Sequence, residues 1–343
     1  FFFLLFCLHS LRCNLKKRIH YMSAKPHIVF LDASTMDAGD VDFSAIHQFG
    51  TLTLHKTTDY NQILERISEA QVVITNKVIL DRDILQRSSS LSMIIVCATG
   101  VNNIDLDAAK ENGIIVTNVS GYSTPSVAQH TLSLLLNLSS NTHLYSHEAR
   151  LWAESPIFTR LTYPVVELRG KTLGIAGAGN IGCLVGETLE TLGMNIQVLS
   201  RKGSLSDRHP EWPRVDHDQF FSSSDTISLH CPLNDSTRHM VNTDSLALMK
   251  SDAFLINTGR GELIDEGALL ESLQKRQIGG AALDVLSKEP PEPDHPLLGE
   301  QIPNLIITPH TAWTSREART RLLDGLINNL RTFLAGKPDN RII

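Results

Sequence analysis

The chain has 343 residues, with 31 Lys+Arg against 37 Asp+Glu and a net charge of -6. That length allows two domains and a large core, and 42% hydrophobic with 20% charged residues excludes wholesale disorder. The acidic balance argues against nucleic acid as the main partner, and no apolar run reaches the ~18 residues that span a bilayer.

Residues 1–21 begin FFFLLFCLHS, carry Arg12, Lys16, Lys17 and Arg18, and hold no acid. The charges follow the apolar run, the reverse of a secretory signal. We read this as a leader outside the native fold, ahead of a start at Met22, with a transit peptide as the alternative. From His27 short apolar runs alternate with helical patterns. HIVFLDA (27–33), AQVVITN (70–76), LSMIIVCA (91–98) and GIIVTNV (113–119) are rich in Val and Ile and suit strands buried on both faces. Helices are predicted between them, as at 60–70 and 106–113. A longer helix is predicted from Thr124, with that residue as N-cap and Pro125 in the first turn. Residues 143–169 are less regular, interrupted by Trp152, Pro156 and Pro164.

A second series starts at Lys171: KTLGIAG, MNIQVLS (194–200), TISLHCP (226–232), AFLINTG (253–259), GAALDV (280–285) and NLIITPH (304–310). The last helix is predicted to open on Thr314-x-x-Glu317 as a capping box and to end at Gly336. The β-α-β rhythm in both halves implies two doubly wound α/β domains with parallel sheets. The cysteines, Cys7, Cys13, Cys97, Cys183 and Cys231, are scattered without a C-x-x-C pair. They read as reduced thiols in a cytoplasmic protein, not as a disulfide frame or zinc site.

Gly177, Gly179 and Gly182 form G-x-G-x-x-G directly after an apolar strand and before a helix. Gly177 permits the tight turn, Gly179 lets a pyrophosphate approach, and Gly182 lets helix and strand pack closely. The amides of Asn180 and Ile181 would face the phosphates. Where an NAD enzyme places an acid at the end of the next strand, this chain has Ser200, Arg201 and Lys202. A carboxylate would repel a 2'-phosphate, whereas these cations attract it, so NADP(H) is expected over NAD(H).

INTGRGELID (256–265), ALDVLSKEPPEP (282–293) and ITPHTAWTSREAR (307–319) carry further chemical groups. With GAGNIG and CATGVNNIDL (97–106), they resemble the D-isomer-specific 2-hydroxyacid dehydrogenase family from Met22 onward. NVSGYSTPSVAQHTLSLLL (118–136) and ESPIF (154–158) look most like its glycerate dehydrogenase/hydroxypyruvate reductase branch. The resemblance implies a Rossmann cofactor domain (124–310) inserted in a flavodoxin-like substrate-binding domain (22–123 and 311–343).

Reducing a 2-keto acid requires a clamp for carboxylate and carbonyl, a proton source and a nicotinamide held against C2. The resemblance gives Arg260 the clamp, since its planar fork suits an anionic acid. It makes His310 the proton donor, with Glu289 paired to it and favouring the imidazolium. Each taken singly has a plainer structural reading, and the ordered trio argues for function. The resemblance further implies that Asp284 orients the nicotinamide and that Thr258, Cys231 and Pro232 line the cofactor channel. It gives the Gly100 and Val101 amides the substrate carboxylate, with Lys77 assisting and Trp313 as a pocket wall. It also implies a homodimer built on the cofactor domain and the irregular stretch 143–160. No metal is expected, because Arg260 already supplies the electrophile. The competing reading is a dinucleotide-sensing, corepressor-like binding protein of the same fold.

Overall fold

The computed structural model describes residues 25–200, 208–299, 302 and 304–343. The leader at 1–21 and Met22 lie outside the described residues. The chain divides into two compact units. One runs to Ser123 and resumes at Thr314–Ile343, and the other is Thr124–Trp313.

The first unit is built on five parallel strands: β1 (His27–Phe30), β2 (Thr51–Leu54), β3 (Val72–Thr75), β4 (Met93–Val96) and β5 (Ile115–Thr117). Their order is β2-β1-β3-β4-β5, the flavodoxin-like arrangement. Val29, Val73, Ile94 and Val96 share one apolar core with Ile84, Ala108 and Ala109 from the covering helices. Asp81 and Asp105 cap two of those helices by accepting from Ile84 N (3.0 Å) and Ala108 N (2.8 Å). The helix Arg316–Leu334 returns to this unit and buries Leu322, Leu326, Leu330 and Phe333 on one face. Its cap is Ser315, which accepts from Ala318 N at 3.2 Å. The capping box expected from Thr314 is therefore corrected by one residue: the bonding hydroxyl sits three positions before the amide it caps.

The second unit holds seven parallel strands: β6 (Thr172–Ala176), β7 (Asn195–Leu199), β8 (Arg214–Val215), β9 (Thr226–Leu229), β10 (Phe254–Asn257), β11 (Gly280–Leu283) and β12 (Leu305–Ile307). The order β12-β11-β10-β9-β6-β7-β8 reverses direction between β6 and β9, the switch point of a Rossmann sheet. Neighbouring side chains go to opposite cores: Leu255 and Ala281 lie in one cluster, Ile256 and Ala282 in the other. Double-sided burial explains the unbroken apolar runs of these strands. Truncating a residue such as Ile256 to Ala should cost about 2–5 kcal/mol.

The helix Thr124–Ser140 covers one face with Ala128, Leu134, Leu135 and Leu138. Thr124 is its first residue, not the cap expected there. Residues 142–165 form the short helix Thr142–His147, a 3-10 turn at Ala149–Glu154 and loops. Among the described residues, no helix is long and apolar enough to cross a membrane.

Candidate active site

The glycine turn follows β6 at the switch point. Gly177 has φ +104, and a Cβ there would lie 2.6 Å from the Cys231 amide nitrogen. Only glycine both adopts that backbone and lets the turns after β6 and β9 approach so closely. A Cβ on Gly182 would lie 2.2 Å from the Gly177 carbonyl oxygen, so its absence seats the following helix on the turn. That helix, Asn180–Thr191, has Gly179 as N-cap with no side-chain cap. Its first amides, including those of Asn180 and Ile181, have no partner inside the helix. A Cβ on Gly179 would meet nothing within 4 Å. The result is open space in front of a positively polarised helix end.

At the end of β7, Ser200 is exposed, and its amide donates to Val215 O at 2.7 Å. Arg201 and Lys202 lie outside the described residues. Arg208, which sequence reasoning missed, donates from Nη1 to Asn180 Oδ1 at 2.8 Å. A guanidinium therefore stands beside the phosphate-binding turn, reached only through the fold. Cys231 is half-buried, with Sγ 3.6 Å from Met240 Sδ, and the Pro232 carbonyl accepts from Thr237 Oγ1.

Arg260 stands after β10 on a loop fastened by the buried Asn257. That side chain accepts from Gly259 N (3.0 Å) and donates to Arg260 O (2.8 Å). Arg260 Nη1 donates to Gly259 O at 2.8 Å. Gly261 is required by packing: a Cβ there would lie 2.0 Å from the Leu286 carbonyl carbon. The Arg260 loop and the segment leading to Glu289 meet through that missing side chain. Gly259 is not under the same demand, because its Cβ would find only ordinary contacts at 3.4 Å. Thr258 bonds to Thr131 (Oγ1 to Oγ1, 3.1 Å).

His310 and Glu289 come together. His310 Nδ1 lies 2.6 Å from Glu289 Oε2, and Glu289 Oε1 accepts from Leu286 N at 3.1 Å. Both side chains are about 30% exposed, so the pair is open to a ligand. His310 has φ 52, an uncommon left-handed conformation for a residue with a side chain. Asp284 is 1% exposed. Burial works against its charge, but bonds from His130, Thr308 and the amides of Ala312 and Thr311 outweigh it and hold the carboxyl below its usual range. Those amide bonds keep 311–313, including the part-buried Trp313, with the second unit.

In the first unit, Lys77 lies on the loop after β3, and its amide donates to Asp32 Oδ2 at 2.7 Å. Asp32, another residue the sequence reading missed, also accepts from Asn76 N, and burial raises its pKa. Gly100 and Val101 follow β4. The preceding Thr99 carbonyl is held by Asn118 Nδ2 (2.7 Å), and Asn329 of the last helix holds the Asn118 carbonyl (2.8 Å).

His143 and His147 have H-x-x-x-H spacing. However, among the described residues no group of three or more His, Cys, Asp or Glu is arranged to hold a metal ion.

The model of the NAD-binding domain of D-isomer specific 2-hydroxyacid dehydrogenases matches residues 132–312. The chain belongs to this family. It is 38% identical to a glycerate dehydrogenase of Methylorubrum extorquens over 315 residues, 91% of this chain and 98% of the relative. It is 36% identical to a hydroxypyruvate reductase of Blautia hydrogenotrophica over 319 residues, again 91% and 98%. A solved NADPH-dependent glyoxylate/hydroxypyruvate reductase of Sinorhizobium meliloti, in complex with NADP and malonate, superposes with a TM-score of 0.79. It is 25% identical, over 93% of this chain and 97% of that one.

The dehydrogenase is thus an NAD(P)-dependent enzyme acting on the CH–OH group of its donor. A nicotinamide dinucleotide fits the second unit: the Gly179 position leaves room for a pyrophosphate, and the uncapped helix end offers it donors.

Proposed function

We propose that this dehydrogenase reduces hydroxypyruvate and glyoxylate, prefers NADPH, and in reverse oxidises D-glycerate. The observation that carries the chemistry is the His310–Glu289 pair at 2.6 Å, beyond the carboxyl ends of β11 and β12. The dinucleotide, when bound, exchanges a hydride with C2 of the substrate. Asn180 and Ile181 bind its pyrophosphate through their amides. Asp284, Thr258, Cys231 and Pro232 are assigned to the side of the cofactor nearer the reaction.

Arg260 binds the substrate carboxylate and polarises the ketone. His310 holds a proton at Nε2 and gives it to the ketone oxygen as that oxygen becomes a hydroxyl. In the reverse direction it takes the proton back. Glu289 occupies Nδ1, which leaves Nε2 as the working nitrogen. Lys77, Gly100 and Val101 are assigned to the substrate carboxylate, and Trp313 to a wall of the substrate pocket.

Ser200, Arg201 and Lys202 support the preference for NADPH, and Arg208 adds a further cation on the cofactor's path. Trp152, Phe158 and Leu161 are 60%, 90% and 82% exposed. Such an apolar stretch suits a second copy of the chain, so we assign a homodimer, to be measured by light scattering. Among the described residues Cys97, Cys183 and Cys231 form no disulfide, which supports a reducing compartment such as the cytoplasm. A corepressor-like role is not favoured, because the relatives above are named as enzymes.

The test is a matrix of initial rates for hydroxypyruvate, glyoxylate and pyruvate with NADPH and NADH. Highest kcat/KM is expected for hydroxypyruvate with NADPH. Faster turnover of pyruvate than of either proposed substrate would reject the assignment.

A further inference from the structure

Helix Thr124–Ser140 sets two successive side chains against two of the loops that carry the proposed chemistry. Thr131 meets Thr258, two residues before Arg260. His130 meets Thr308, two residues before His310, with Nε2 2.9 Å from the hydroxyl oxygen and 3.4 Å from Asp284 Oδ1.

The direction of the second contact follows from its neighbours. Thr308 Oγ1 donates to Asp284 Oδ1 at 2.6 Å, which uses its single hydrogen. The same oxygen must then accept from His130, so Nε2 of His130 carries a proton. Asp284 Oδ1 also accepts from Thr311 N (2.9 Å), Asp284 Oδ2 accepts from Ala312 N (2.9 Å), and the Asp284 carbonyl accepts from His310 N (2.8 Å). Every residue from 308 to 312 except Pro309 is thereby tied to Asp284. His310, at φ 52, sits in the middle of that clamp. A left-handed backbone at a residue with a side chain persists only where its surroundings hold it.

We propose that His130 is a positioning residue for the reaction: its hydrogen bond to Thr308 completes the clamp by which Asp284 fixes the loop 308–312 and aims the His310 imidazole. His130 touches neither substrate nor cofactor in this role, and it acts on the rate through His310. The inference rests on the reading of His310 as proton donor.

The experiment uses the full chain with hydroxypyruvate and NADPH. His130→Ala should lower kcat about tenfold, the lower end of what removing such a supporting partner costs. KM for hydroxypyruvate, NADPH affinity by fluorescence and Tm should stay near wild type. His130→Gln, whose side-chain N–H can reach the hydroxyl, should restore most of kcat. Thr308→Val should reproduce the loss, and the His130→Ala/Thr308→Val double variant should lose no more than either single one.

Wild-type kcat in His130→Ala would overturn the proposal. So would additive losses in the double variant, or a joint fall of kcat, NADPH affinity and Tm that Gln does not repair. Should His130→Ala fail to fold, the Gln and Val variants decide by the same comparison. His310→Ala is run alongside: full turnover there rejects the proton-donor reading itself, whereas its loss with an indifferent His130→Ala rejects only the clamp.

Discussion

His310 Nδ1 lies 2.6 Å from one oxygen of Glu289, while the other oxygen of Glu289 accepts from the Leu286 amide at 3.1 Å. The carboxylate is thus fixed before it fixes the imidazole, and only Nε2 of His310 is left to serve a substrate. His310→Ala should lower kcat at neutral pH by about 10²–10⁴-fold, the usual worth of a positioned acid or base. NADPH affinity by calorimetry should remain within about twofold, because the phosphate-binding turn is untouched. Glu289→Gln keeps the shape but removes the charge, and should give a smaller loss of kcat. Unchanged turnover in His310→Ala would remove the proton donor from the scheme.

Two glycines make opposite demands, and alanine separates them. A Cβ at Gly261 would lie 2.0 Å from the Leu286 backbone, while one at Gly179 would meet nothing. Gly261→Ala should therefore destabilise the protein by about 1–3 kcal/mol or more and lower activity with it. Gly179→Ala should leave Tm unchanged yet weaken dinucleotide binding at least about tenfold, since the space it fills is the pyrophosphate's. Thermal melts and fluorescence titrations on both variants make the comparison. Equal behaviour of the two would contradict this division of roles.

The parallel strands were legible because burial on both faces leaves an unbroken apolar run, as at 254–257. Strand β2 escaped for the converse reason. Thr51–Leu54 is an edge strand that stays partly exposed, and its TLTL pattern carries little core signal. β8 has only two residues. The phosphate turn announced itself because glycine spacing is local. By contrast, the Asp284 clamp draws on Thr308, Thr311 and Ala312 from 24 to 28 residues away and on His130, which lies 178 residues from Thr308 in sequence. Asp32 reaches the Lys77 loop across 45 positions. Nothing in spacing marks such partners, since they become neighbours only when strands align. Thr314 and Ser315 both offer a capping oxygen, and the choice between them depends on the backbone angle at which the helix starts.

The proposed preference for NADPH rests on Arg201 and Lys202, which follow the exposed Ser200 in sequence. Replacing both with Ala should weaken NADPH binding by about tenfold or more, because charge-assisted contacts to a phosphate are among the stronger polar interactions. NADH, which lacks the 2'-phosphate, should lose little. Titrating both cofactors against wild type and variant measures the ratio. Parallel losses would mean that these cations act on the shared pyrophosphate, and the selectivity argument would fall.

His230 offers a test of stability independent of the reaction. Its Nε2 lies 2.8 Å from Ser228 Oγ, and burial lowers its pKa to about 4. In the unfolded chain it should titrate near its ordinary value of about 6.5. Between those values the unfolded state binds the extra proton, so stability is fully present above about pH 6.5 and drains away as pH falls toward 4. A shift of that size corresponds to at most about 3 kcal/mol. Calorimetric melts from pH 7.5 to 5 should show a steeper fall of Tm for wild type than for His230→Gln, which cannot take up a proton. The variant starts lower, because it loses native packing, so the slopes and not the absolute Tm values carry the comparison. Parallel curves would show that the acid sensitivity of this unit arises elsewhere.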